Sequence, residues 1–286
     1  MTAPPSGWTA EEDLLGFFGP DSVTWRVHSD PTFSVGGLRA LLLQALHPVA
    51  MDGVARFSGG VREEPWPRLL RTATYVDTLT FGTRTEAARA VARVRAIHHK
   101  LGSTEETTGR TYRVDDPDLL LWVHCCEVDS LLSVARRAGV RLTDQDSDRY
   151  VAEQVTAAEL IGVPRADVPD SVAALAAYFE EIRPLLAVTP AARDACRLIL
   201  LPPMKTWVRY LTPAQPAWGT LAGLAVALLP QWARRMYSLP GLGLTDAAAT
   251  AGLRAFRQAM LRLPMRARRS PIVWGGFDRV AATQAA

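Results

Sequence analysis

The sequence has few cysteines, little net charge and no long apolar run. Cys125 and Cys126 are adjacent and Cys196 is distant, so the cysteines lack the spacing of a zinc site or a disulfide framework. A net charge of +3 over 286 residues, without a basic run interleaved with aromatics, argues against nucleic acid as a partner. The longest apolar run, residues 218–230, is shorter than the roughly 20 residues of a membrane span. We therefore expect no transmembrane segment.

The motifs of several common enzyme classes are also missing. The chain has no GxSxG elbow, GxxxxGK[ST] loop, HExxH, GxGxxG or EF-hand loop. Its five histidines, at positions 28, 47, 98, 99 and 124, include no pair four residues apart on one helix, so a multi-histidine metal site would have to assemble from separate elements. The N-terminus shows no basic region followed by an apolar core, as a secretory signal would. We therefore expect a cytoplasmic protein.

Helical periodicity is present along most of the chain, and 48% of the residues are hydrophobic. Thr9 with Glu12 forms a capping-box signature, and Gly36-Gly37 precede a strongly apolar helix. Paired glycines permit close approach of another helix, the commoner reason, or of a ligand. Caps, glycines and prolines delimit further helices at 118–138, 144–161, 171–182, 190–200 and 245–263.

No run of alternating β-branched residues of strand length occurs, and residues 103–117 have the composition of a surface loop. The prediction is an all-α fold with a single large helical domain of about nine or ten helices. We expect a disordered lead at residues 1–8, the domain at 9–270 and an irregular tail at 271–286.

The stretch Pro65 to Gly102 predicts two helices joined at Phe81-Gly82. With Thr85 as N-cap of the second helix, its apolar stripe at positions 87, 91 and 94 leads to His98. His99 falls about 100° away and lies outside this stripe. In the first helix Arg68 and Thr72 share one face. A buried imidazole near a polar pair suits a metal, a cofactor or a hydrogen-bond network, and periodicity does not distinguish these.

Each polar candidate also has a structural interpretation. His47 is expected to bond the last carbonyls of its helix, and His124 to pair with Asp116 or Asp129. Arg68 either pairs with a nearby glutamate, at 63 or 64, or lies beside a bound ligand. The arginine series at 254, 257, 262, 266, 268 and 269 is most simply a solvated face, with contact to anionic lipid as the alternative.

Five segments in order, GGLRALLLQALHPVAMDGV, PRLLRTATYVDTLTFGT, VRAIHHKLG, GRTYRVDDPDLLLWVH and VPDS, carry a family resemblance. From about residue 25 to 200 the chain resembles the family that includes the rubber oxygenase latex-clearing protein and the fungal oxygenase MpaB. The resemblance implies a globin-like helical core that binds haem b, with His98 as the axial ligand of the haem iron. It assigns Arg68 and Thr72 to the distal side. Arg71 stands where rubber-cleaving members have lysine, and we group it with Arg68 as a cofactor-binding residue.

The function implied is a haem-b-dependent oxygenase that uses dioxygen on a small hydrophobic substrate, an alkene or a terpenoid-like compound. An unidentified electron donor would be a further partner. Rubber-cleaving members are secreted, whereas this sequence shows no secretory signal. Polyisoprene is therefore not the expected substrate. One alternative is a non-catalytic haem-binding sensor or carrier, whose pocket would lack room for a substrate beside the iron. Another is a helical protein that has lost haem.

Overall fold

The structure, a computed structural model, describes residues 7–57, 65–106, 108–239 and 243–284. In these ranges the all-α prediction is confirmed, and the only strands are two of three residues each. The helices are α1 (Ala10–Leu15), α2 (Val23–His28), α3 (Phe33–Gln44), α4 (Pro48–Phe57), α5 (Pro65–Phe81), α6 (Arg84–His98), α7 (Pro117–Arg137), α8 (Asp144–Ile161), α9 (Val172–Ile182), α10 (Pro190–Leu200), α11 (Thr206–Leu211), α12 (Ala214–Ala227), α13 (Gln231–Met236), α14 (Gly243–Leu261), α15 (Met265–Arg268) and α16 (Pro271–Gln284). Single 3₁₀ turns occupy Arg165–Asp167 and Arg183–Leu185.

Reciprocal capping boxes begin three of the helices. Thr9 caps α1 together with Glu12, as predicted. At α6 the Thr83 hydroxyl accepts the Glu86 N–H at 3.1 Å, and the Glu86 carboxylate accepts the Thr83 N–H at 2.9 Å. The predicted N-cap of α6, Thr85, is therefore wrong by two residues. Thr83 is the N-cap because it lies three residues before Glu86, and this spacing lets the Glu86 carboxylate accept the backbone N–H of the cap.

The centre of the molecule is the packing of α3 against α7. A Cβ at Gly36 would lie 2.8 Å from Leu131 Cδ2 and 3.3 Å from Leu131 Cα, whereas one at Gly37 would meet nothing within 4 Å. The glycine pair thus lies inside α3 instead of preceding it, and Gly36 permits the close helix approach expected of it. The buried Arg39 strengthens this contact, since its Nη1 donates to Asp129 and Ser130 of α7, both at 2.7 Å.

A buried histidine joins α2, α5 and α8. His28 Nδ1 lies 2.9 Å from the Thr80 hydroxyl oxygen, and its Nε2 lies 3.0 Å from the Tyr150 hydroxyl. Complete burial, together with the nearby Arg269 charge, lowers the pKa of His28 to about 3. His28 is therefore a neutral, hydrogen-bonded structural residue.

The segment predicted to be a surface loop contains a small antiparallel hairpin. Strand β1 (Gly102–Thr104) pairs with β2 (Thr111–Arg113), with Ser103 opposite Tyr112. Tyr112 is buried with Val49 and Leu119, and its hydroxyl donates to Asp52 at 2.8 Å. Strands this short carry too little alternation to be recognised in a sequence.

The C-terminal segment predicted to be irregular forms α16 up to Gln284. Val273 and Val280 pack with Trp25 and Phe81 in a second hydrophobic cluster. A Cβ at Gly276 would lie 2.8 Å from the Phe81 carbonyl oxygen, so the helix approaches α5 closely. Glycines inside α16 weaken its intrinsic propensity, and tertiary packing compensates.

The C-terminal arginine series is not simply a solvated face. Arg257 forms an ion pair with the buried Asp30 at 2.7 Å, and Arg269 forms one with the buried Asp77 at 2.9 Å. That part of the prediction is wrong, because periodicity does not show which acids the tertiary fold brings near. Among the described residues, no helix combines the length and apolarity that crossing a bilayer requires. The proposed division at residues 8 and 270 stays a prediction.

Candidate functional site

A cavity of about 130 Å³, open to solvent, lies between α3, α4, α5, α7, α10 and α12. Its lining has the character of a small-molecule pocket, which is mostly apolar with a few polar groups. Leu41, Met51 and Leu69 represent its apolar wall, and Arg68 is the one charged side chain among the described residues that line it. The complete lining is Leu38, Leu41, Gln44, Ala45, Ala50, Met51, Val54, Trp66, Arg68, Leu69, Thr72, Val123, Ala195, Leu198, Ile199, Pro202 and Trp218.

The Arg68 guanidinium is half-buried and has neither an ion pair nor a hydrogen bond among the described residues. Burial lowers the pKa of Arg68, and the neighbouring Arg71 charge lowers it further. Arginine nevertheless stays protonated in proteins. The predicted partners, Glu63 and Glu64, lie outside the described residues. A cation thus faces an apolar space with no anion from the described residues paired to it, which is the environment expected next to an anionic ligand group.

Thr72 lies one turn after Arg68 on the same cavity wall. Its hydroxyl donates to the Arg68 carbonyl oxygen at 3.2 Å, a long bond that a ligand acceptor can replace. Arg71 is exposed and does not line the cavity. The structure therefore brings Arg68 and Thr72 together and leaves Arg71 outside.

His98 is the last residue of α6, on the predicted stripe. Ala87 and Val91 are buried, while Val94 and His98 are half-buried. The buried Nδ1 atom of His98 has no hydrogen-bond partner in the part of the chain that the structure describes. Burial lowers the pKa of His98, and the charge of Asp115 partly opposes that effect. The imidazole is thus a neutral group with an unused nitrogen.

The neighbouring histidine differs, as periodicity predicted. His99 is exposed, and its Nδ1 lies 2.9 Å from the Asp115 carboxylate. His98 is not one of the residues that line the cavity. Arg68 and His98 do lie at the same end of the α5–α6 pair, the end remote from the Gly82 joint.

Sequence reasoning did not identify a second pair of polar residues, Tyr75 on α5 and Glu127 on α7. Burial raises the pKa of the half-buried Glu127 carboxyl to about 7. Burial and the Glu127 charge together raise the pKa of Tyr75. Tyr75 follows Thr72 by three residues and so shares the Arg68–Thr72 face of α5. That spacing was a usable signal, whereas the proximity of Glu127 arises from tertiary structure.

His124 precedes Glu127 by one turn of α7. Burial lowers the pKa of His124 to about 4, so it is neutral at physiological pH. It has no hydrogen bond to any described residue. Its predicted pairing is wrong, because Asp116 and Asp129 bond to Arg110 and Arg39, respectively.

The other candidate groups have structural roles. His47 Nδ1 accepts the Ala50 N–H at 3.3 Å, so it caps the start of α4 and does not bond the last carbonyls of α3 as predicted. Cys125, Cys126 and Cys196 are free and buried, and burial raises the pKa of each thiol. These thiols are small core groups, as expected.

Two of these groups have the chemistry of haem-contacting residues, although His98 does not line the cavity that Arg68 and Thr72 line. A buried imidazole nitrogen without a partner costs free energy unless a ligand supplies one. An unpaired arginine beside an apolar space suits a carboxylate-bearing ligand such as a haem propionate. In the described part of the chain no three His, Cys, Asp or Glu residues cluster around a metal-sized space. Haem iron is held by one or two axial ligands, so it requires no such cluster.

Comparison with known families shows which family the chain matches. The family described as ER-bound oxygenase mpaB/B'/rubber oxygenase, catalytic domain, matches residues 25–263. That range includes the cavity, Arg68, Thr72 and His98. Comparisons with curated proteins and with solved structures gave no match.

Proposed function

Because the chain belongs to the family of mpaB and rubber oxygenase catalytic domains, we propose that it is a haem-b-dependent oxygenase. Its substrates are dioxygen and a small apolar molecule, an alkene or a terpenoid-like compound. The family is one of oxygenases, which supports an oxidoreductase activity and implies dioxygen as a reactant. The dependence on haem, the class of substrate and the roles of individual residues go beyond the family membership and are proposed here.

The observation that carries the proposal is the cavity with one unpaired cation on its wall. The cavity of about 130 Å³ is apolar and opens to solvent, so a small apolar molecule can enter it. Unlike a sensor or carrier, an oxygenase needs substrate space beside the iron, so the proposal requires that this cavity adjoin the haem held by His98. The positive charge of the unpaired Arg68 on one wall of the cavity would orient a polarised reactant.

The residue roles follow from their chemistry. His98 would hold the haem iron through a neutral imidazole nitrogen. When bound, haem would supply the redox centre at which dioxygen is activated. Arg68 would pair with a propionate or stabilise negative charge developing on oxygen. Thr72 would turn its hydroxyl from the Arg68 carbonyl to donate a hydrogen bond to that oxygen. The apolar wall would position the substrate and exclude water.

The proposal is tested by isotope labelling. Protein reconstituted with haem b is reduced and exposed to ¹⁸O₂ with a panel of small alkenes and terpenoids, and the products are analysed by mass spectrometry. The expected result is ¹⁸O in a cleaved or oxygenated product, at a rate that depends on protein concentration. Haem-loaded protein that yields no labelled product with any member of the panel would favour the sensor or carrier. Free haem at the same concentration is the control.

A further inference from the structure

Large apolar side chains are exposed together in one short segment. Leu201, Trp207, Tyr210 and Leu211 are 73%, 59%, 72% and 81% exposed, and we name residues 201–211 the α11 patch. Trp207, Tyr210 and Leu211 are spaced three and four residues apart, so they share one face of α11. That face is turned to solvent, the reverse of ordinary helix amphipathicity. Exposed apolar clusters of this kind mark interaction sites.

The charges within the patch and along the sequence around it have one sign. Residues 195–245 contain no aspartate or glutamate. Lys205 and Arg209 are exposed within the patch, and neither has an ion pair among the described residues. The Arg209 guanidinium lies 5.9 Å from the centre of the Tyr210 ring, and its Nε donates to Gln215 at 3.2 Å. The partner that complements this surface is both apolar and anionic.

The α11 patch is attached to the rim of the cavity. The Trp66 indole N–H donates to the Pro203 carbonyl at 2.8 Å, and the Trp66 ring lies 4.7 Å from the Trp218 ring. Trp66, Trp218 and Pro202 line the cavity. Val208, on α11 itself, lines an adjoining apolar groove with both tryptophans. Whatever docks on the patch therefore lies next to the cavity rim.

We propose that the α11 patch docks on the surface of an anionic lipid bilayer. Trp207, Tyr210 and Leu211 enter the interfacial region, which tryptophan and tyrosine favour, while Lys205 and Arg209 face the anionic headgroups. A two-fold contact between two copies would place the patch against itself and oppose like charges with no acidic residue to balance them. The charge pattern thus favours lipid over a second copy.

Docking in this orientation places the cavity rim beside the bilayer. An apolar molecule dissolved in lipid then reaches the cavity without crossing water. This consequence rests on the proposed oxygenase function, whereas lipid docking itself does not. The docking experiment uses no substrate and no haem-dependent readout. A negative result would therefore overturn lipid docking without affecting the oxygenase proposal.

The experiment is co-sedimentation of the full chain with vesicles of phosphatidylcholine alone or with about one-third phosphatidylglycerol. We expect at least about tenfold stronger binding to the anionic vesicles, weakened by salt. The double variant Trp207→Ser with Leu211→Ser should reduce binding about tenfold or more. Leu185→Ser, at a leucine 64% exposed outside the patch, should leave it unchanged.

The electrostatic part of the proposal is tested with the double variant Lys205→Glu with Arg209→Glu. This variant should lose the preference for anionic vesicles. Arg89→Glu with Arg93→Glu, at exposed positions on α6, is the matched control. Circular dichroism verifies that every variant is folded. Absence of vesicle binding, or equal losses in the control variants, overturns the proposal. So does a dimer in lipid-free sedimentation velocity that the Trp207 and Leu211 changes dissociate.

Discussion

The hydroxyl of Thr72 donates a hydrogen bond to the carbonyl oxygen of Arg68, 3.2 Å away and one helical turn earlier. Both side chains line the same apolar cavity, one with an unpaired charge and the other with a donor held by its own helix. This arrangement keeps the donor satisfied until an acceptor enters the cavity. The wall can then offer a cation and a hydroxyl to the same reactant.

Thr72→Val is expected to slow oxygenation by about tenfold, equivalent to about 1.4 kcal/mol, because the hydroxyl is lost while the shape is kept. The measurement is the initial rate of dioxygen uptake with a productive substrate. Thr78→Val is the matched control, since Thr78 makes the same type of bond, to the Thr74 carbonyl at 2.7 Å, but does not line the cavity. Equal rate losses in the two variants would show that the Thr72 hydroxyl acts only within its helix.

Arg68→Ala should lower turnover more than it lowers haem affinity. Because Arg68 has no partner among the described residues, its removal should change the free energy of unfolding by less than about 0.5 kcal/mol. Haem titration, dioxygen uptake and urea denaturation give the three values. Arg71→Ala should leave all three near wild type, since Arg71 is exposed outside the cavity. Loss of haem as the main effect of Arg68→Ala would assign Arg68 to the propionates instead.

Glu127 should make stability depend on pH. Its pKa is raised by burial to about 7 in the folded protein, so between about pH 4.5 and 7 the folded state holds more protons than the unfolded state. The free energy of unfolding therefore falls as pH rises through this window, by about 1–2 kcal/mol with allowance for screening at a half-buried side chain.

Glu127→Gln should remove that pH-dependent loss. Urea denaturation of the wild type and of Glu127→Gln at several pH values between 4.5 and 8 gives the difference in their free energies of unfolding at each pH. His124, whose pKa is lowered to about 4, has the opposite effect, because its stabilising contribution is lost as pH falls below about 6.5. Comparing the two proteins at each pH largely cancels the His124 contribution. A difference independent of pH, or the same slope change in the exposed Glu181→Gln variant, would contradict the assignment.

The two glycines of α3 should respond differently to alanine. Gly36→Ala places a methyl group 2.8 Å from Leu131 Cδ2 and should cost about 1–3 kcal/mol through overpacking. Gly37→Ala meets nothing within 4 Å and should be neutral or stabilising by up to about 1 kcal/mol, because alanine favours helix. Thermal and urea denaturation measure both. Similar costs at the two positions would mean that α3 and α7 do not approach closely at Gly36.

Sequence reasoning worked where local signals determine the structure. The bounds of α8 and α10 were predicted to the residue, because Thr143 and Thr189 cap their starts and Gly162 and Pro202 follow their ends. Helix α16 was missed because its stability depends on packing against Phe81, which lies far away in sequence. Local propensity carries no information about such a contact.

The same division holds at the candidate site. The four-residue spacing predicted that Arg68 and Thr72 share a face, and the stripe distinguished His98 from His99. The effect of the Glu127 charge on the pKa of Tyr75 depends on the proximity of α5 and α7, which only the folded chain establishes. Pairing of Asp129 with Arg39, which left His124 without an acid partner, was equally non-local.

The central claim is that His98 ligates haem iron, and absorption spectroscopy tests it most directly. Wild type, His98→Ala and the adjacent exposed His99→Ala are each reconstituted with haem b, and the Soret bands of the oxidised and reduced forms are recorded. We predict a Soret band in wild type and in His99→Ala, and its loss or marked shift in His98→Ala. A band unchanged by His98→Ala, or the absence of any Soret band in wild type, would contradict the account.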